Sequence, residues 1–355
     1  ATMIDSSVSA APASRRKLWL IGNKPLNEQL RIVGGLFTLA LIIVVTLTAL
    51  QIRSAAQGTA FVSASGQMAT LSQILAKAAQ QAVTTGRTGF SELKESRDSF
   101  ADLLKAITTG GEVNGVNYDA TPRSVKPQLD EVTEIWSKIL KEANDVSKQQ
   151  EQINRLGKAV TSINSNNAQL LDFAEQVARA KLEGRGSARE IETSNQIVML
   201  SQRMAKNANA LLAAESVDPE VIFLLGRDSN SFNDLLEQIS ESTTDANTMQ
   251  KLESLKLFGS KHQIAVGGIL ANVQPLLTAK RAGVTVFQES GKLLDSINEL
   301  SAAYNKAFTG ISLYLIGILI SGPIALLLLA TLVWVYNTDL ASRRDDADRQ
   351  RLAAE

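Results

Sequence analysis

Between Arg31 and Arg53 lie 21 residues without a charged side chain, and between Lys306 and Asp339 lie 32 more. At about 1.5 Å per residue, either run is long enough as a helix to cross a hydrocarbon core of about 30 Å. Such runs leave few alternatives, because in lipid only helices and closed barrels satisfy their own backbone. Two transmembrane helices are expected, 32–52 and 311–336, holding a long region, 53–306, between them. The first run exceeds the apolar core of a cleaved signal peptide and follows a 31-residue leader, so it reads as a retained anchor.

Arg15, Arg16, Lys17, Lys24 and Arg31 precede the first run, opposed only by Asp5 and Glu28; Arg343, Arg344, Arg349 and Arg351 follow the second. Positive charge stays cytoplasmic. Segments 1–31 and 337–355 are therefore expected inside and 53–306 outside, with Trp19, Trp334 and Tyr336 as interfacial anchors beside membrane lipid. The remaining composition mostly excludes. With 36 basic and 36 acidic residues there is no basic footprint for nucleic acid. Without cysteine there is neither a disulfide framework nor a thiolate metal site, and one histidine leaves little for metal, cofactor or acid–base chemistry. No serine, histidine and carboxylate arrangement points to a hydrolase, so no catalytic residue, cofactor or metal is assigned.

In the outer region apolar residues recur at helical steps, as in Met68, Leu71, Leu75 and Ala78, and again in Ile197, Leu200, Met204 and Leu211. Those two stripes belong to a repeat. "LSQILAKAA" at Leu71 returns as "LSQRMAKNA" at Leu200, offset by 129 positions, and "RDSF" at Arg97 returns as "RDSNSF" at Arg227. Breakers at 86–89, 109–122, 183–187, 216–219 and 245–247 divide the region into helices of about 53–86, 89–109, 124–183, 187–216, 219–243 and 247–308. The lengths repeat as short, short, long. The third is roughly 90 Å, matching the first and fourth end to end. The expected fold is all-α: two stacked four-helix bundles sharing the long helices 124–183 and 247–308. The membrane-proximal module has helices 53–109 and the distal module has helices 187–243. Gly267, Gly268 and Pro275 predict a kink or break in the sixth helix.

The two "LSQ..AK" phrases, "VKPQLDEVTEIW" at Val125 to Trp136, "GRDSNSF" at Gly226, and the frame of span, helical outer region and span resemble the PilJ family, the methyl-accepting chemotaxis receptors of type IV pilus systems. The duplicated outer region is also similar to the helical bimodular sensor domains of other chemoreceptors. The resemblance implies a bacterial inner-membrane homodimer with a periplasmic sensor region and pilin as a partner. It further implies relay through a HAMP helix pair to a CheA-type kinase held by a CheW-type adaptor. After Trp334 there is sequence only for the start of a HAMP-like segment, so the kinase-control region is expected beyond Glu355. A structural membrane scaffold or adaptor without its own output is the competing reading.

One cluster stands out as a candidate site. Arg203 replaces Ile74 of the first copy and lies beside Ser201, Gln202 and Lys206. A guanidinium recognises carboxylate or nitrate-like anions through paired hydrogen bonds, so the four residues are read as an anion-binding or partner-reading patch. The plainer alternative is a solvated helix face. Arg97–Asp98 and Arg227–Asp228 are read as ion pairs of structural use, and His262 as a partly exposed helix residue.

Overall fold

The computed structural model describes residues 25–84, 87–214, 216–310 and 312–352. The basic cluster Arg15–Lys24 and Trp19 fall outside them. The described chain is helical except for one short hairpin.

Helix α1, Leu26–Thr84, contains the first apolar run, and α9, Leu313–Leu352, contains the second. Both are long and apolar enough to cross a membrane. Large apolar side chains such as Leu39, Val45, Leu319 and Leu326 stand exposed along them, as lipid-facing residues would. Where the two runs meet, small residues admit large ones. A Cβ on Gly317 would lie 2.8 Å from Leu47, and one on Gly34 3.7 Å from Leu332. The Ser312 hydroxyl donates to Gln51 Oε1, a polar contact between the two helices. The space beside Gly317 is thus occupied by Leu47 of the same chain.

The outer region, 59–307, forms a separate compact unit. After α1 come α2 (Arg87–Thr109), a hairpin of β1 (Gly111–Val113) and β2 (Val116–Tyr118), α3 (Lys126–Lys148) and α4 (Gln150–Glu183). Then follow α5 (Ala188–Ala213), α6 (Pro219–Glu241), α7 (Ala246–Ala271) and α8 (Val273–Thr309). The helix starts follow local chemistry. Ser187 and Glu190 form a capping box on α5, Asp218 accepts from Glu220 N with Pro219 in the first turn, and Asp245 accepts from Thr248 N.

Three features depart from the sequence expectations. First, the expected long helix 124–183 is two helices, interrupted at Gln149, whereas the kink or break expected in the sixth helix is present and falls at Asn272. Asn272 suits its place: its amide donates to Gly268 O at 2.7 Å, and Pro275 falls in the first turn of α8, where its missing N–H costs no helical bond. Gln149 has no comparable breaker. Second, α8 does not run on into α9. It ends at Thr309, before Gly310, and α9 restarts behind Ser312, whose hydroxyl caps Leu315 N. Third, the loop 109–122, read as a plain turn, contains the hairpin. Asn114 and Gly115 both take positive φ, 53° and 76°, the backbone a two-residue hairpin turn demands.

Helices α4, α5, α6 and α7 pack in a closed ring, α4 on α5, α5 on α6, α6 on α7 and α7 on α4. Its core includes Leu156, Ile163, Leu170, Leu200, Met204, Phe232 and Leu255, all nearly inaccessible. Toward the chain ends, α1 meets α8 through the stacked rings of Phe61 and Tyr304, and α2 meets α3 through Phe100 and Trp136, 4.0 Å apart. Tyr304 is 2.6 Å from the Thr121 hydroxyl, and burial pushes its phenol up to about 12. At the α1–α2 turn a Cβ on Gly89 would strike the backbone of Ala82 at 2.3 Å, so this approach requires glycine.

Candidate functional site

The repeated phrase has the same inner side in both copies. Ser72 and Ser201 are fully buried, and each hydroxyl donates to the carbonyl three residues back, Ala69 or Val198. Gln73 and Gln202, and Lys77 and Lys206, are exposed in both. Ser201 therefore points into the bundle while Gln202 and Lys206 point out of it, so the four candidate residues do not converge on one point.

Arg203 is held between these sides. Its Nε and Nη2 both donate to the carboxylate of Asp228 on α6, a side chain with 0% exposure. Arg227 Nε lies 3.7 Å from the same carboxylate. The paired hydrogen bonds expected between Arg203 and an outside anion are thus made to a carboxylate of this chain, and they raise the guanidinium pKa. The first copy is built differently. Ile74 takes the place of Arg203, and Asp98 is half exposed beside its neighbour Arg97, which also reaches Asn144 on α3 at 2.9 Å. Sequence matching found Arg227–Asp228 as a pair; the stronger partner of Asp228 is Arg203.

His262 corrects an expectation. It is 1% exposed, and neither ring nitrogen has a hydrogen-bond partner. The ring pair Phe173–Phe258 and the approach of Gly268 to Ala159 set α4 against α7 and bring Asn167, whose Oδ1 is also unpartnered, level with His262. Burial holds the His262 pKa below 6.5. A lowered histidine pKa means that the unfolded chain binds more protons below pH 6.5, so stability falls as pH drops through 6.5 until the folded-state pKa is reached. Thermal melts at pH 7 and pH 5 are expected to show this loss, and His262→Leu is expected to flatten it. Glu190, held at about 2 by Lys181 and Ser187, loses its contribution as pH falls from its ordinary value of 4.5 to about 2, below the window between pH 7 and pH 5. An unchanged pH slope in His262→Leu would contradict the assignment.

Among the described residues no three or more of His, Cys, Asp and Glu gather as a metal site. The architecture is that of an all-α protein whose helical outer region is bracketed by two helices of membrane-crossing length. Residues 50–162 match the family described as PilJ, type IV pili methyl-accepting chemotaxis transducer N-term. Protein PilJ of Pseudomonas aeruginosa is 24% identical over 305 residues, covering 82% of this chain and 44% of that protein. The chain thus spans less than half the length of this relative. The TorS sensor domain, solved with TorT in the presence of TMAO, aligns at 11% identity with a TM-score of 0.29 over 68% of this chain and 98% of that one. That score is too low to bear on the fold.

Proposed function

We propose that this chain is the membrane and sensory portion of a type IV pilus chemotaxis receptor. The observation that supports it most is the PilJ match over 50–162, which runs from the end of the first apolar run through α1 to α4, in a chain with two membrane-length helices. In this reading the two groups of helices in the outer region are the modules of the repeat, standing in the periplasm with both termini in the cytoplasm. Two copies pair in the inner membrane, and pilin is the partner outside. A stimulus shifts α1 and α8 relative to one another, and the shift passes through a HAMP-like segment to a CheA-type kinase and CheW-type adaptor.

The test is complementation of a strain lacking the parent gene. The intact reading frame is expected to restore twitching and pilus-dependent kinase output, and a version lacking 59–307 is not. Equal output from the two would remove the sensory role and favour a scaffold.

A further inference from the structure

The hairpin belongs to the first copy of the repeat alone, since the corresponding link between α6 and α7 is four residues long. Its tip, Val113 and Asn114, reaches the faces of α1 and α2 and closes a groove of about 530 Å³. Ligand sites typically occupy about 300–1,000 Å³. The floor is apolar: Leu103 is buried, while Leu71 is only half-buried although its repeat partner Leu200 is 4% exposed. The walls carry polar groups not used elsewhere. Asp102, Ser99 and Asn114 form no side-chain hydrogen bond or ion pair with any described residue, and Gln67 has only a long contact to Ser63 at 3.4 Å. No lysine or arginine lines the groove, so the Asp102 carboxylate is its single formal charge. A Cβ on Gly66, in the α1 wall, would meet nothing within 4 Å.

We propose that this groove binds a small aliphatic amine. Its ammonium donates to Asp102, a charge-assisted contact stronger than a neutral one. Its hydrogen-bonding groups meet Ser99, Gln67 and Asn114, and its carbon chain covers the exposed side of Leu71. An anion has no cation to receive it there, and a fully apolar ligand would leave the carboxylate and amides without partners. The site does not depend on the receptor reading, because binding is measured on the protein itself.

The 355-residue chain in lipid nanodiscs would be titrated calorimetrically with putrescine and ethanolamine, with acetate as the anionic control. Saturable binding of at least one amine, one per chain, is expected, with none for acetate. Asp102→Asn should weaken it at least tenfold, and Gly66→Leu, which fills the groove from an open helix face, should abolish it. Both variants should melt like the parent, since neither position is packed. Absence of saturable amine binding overturns the proposal. So does undiminished affinity in either variant.

Discussion

Arg203→Ala is expected to destabilise the outer region by about 3–5 kcal/mol, toward the lower figure because Arg227 remains near Asp228. The cost comes from the partner left behind. Asp228 has no exposure, so without Arg203 a carboxylate sits in the bundle with one distant cation and two vacant hydrogen-bond positions. The reverse change is milder. Asp228→Ala leaves Arg203 35% exposed and able to reach water, so it should cost clearly less. Replacing both, Arg203→Met with Asp228→Leu, should recover most of the loss, because a buried pair is often no better than apolar groups of similar volume. Urea unfolding of the three variants separates these outcomes. If Arg203→Ala unfolds like the parent, the guanidinium is not committed to Asp228, and the solvated-face reading returns.

How far these features were legible varies with the physics that fixes them. Both membrane runs could be read because absence of charge over 21 and 32 residues is a property of composition alone. Helix starts at Ala188, Pro219 and Ala246 could be read because Ser187, Asp218 and Asp245 cap through bonds to residues two or three positions on. Asn114–Gly115 was also a local signal, and the hairpin was missed because the surrounding segment was judged as a helix connection. The interruption at Gln149 could not have been read, for nothing in "KQQEQ" disfavours helix. Arg203 shows the deeper limit. Its exposure depends on what lies across from it on α6, and helical periodicity gives the face of a residue without naming its neighbour. The difference between Ile74 and Arg203 was visible, yet Asp98 and Asp228 look alike in sequence and differ only in burial. His262 was misjudged for the same reason, being on the inner face of α7 where no neighbour in sequence predicts an unpartnered ring.

Leu200→Ala and Leu71→Ala should not behave alike, although the two leucines hold equivalent places in the repeat. Leu200 is 4% exposed within the closed ring of α4 to α7, so truncation leaves a cavity and should cost about 2–5 kcal/mol. Leu71 has one side on the groove beneath the hairpin, and losing part of an already wetted side chain should cost about 1 kcal/mol. The hairpin present only in the first copy separates them: it holds open a space where the second copy packs its core. Hydrogen exchange locates the damage. Leu200→Ala should raise exchange in α5 and α6 and leave α2 unchanged, because α5 packs on α4 and α6. Leu71→Ala should affect α1 and α2 only. If Leu200→Ala instead loosened α2 and α3 as strongly as α6, the outer region would unfold as one cooperative unit, and the two copies of the phrase would not each stabilise a module of their own.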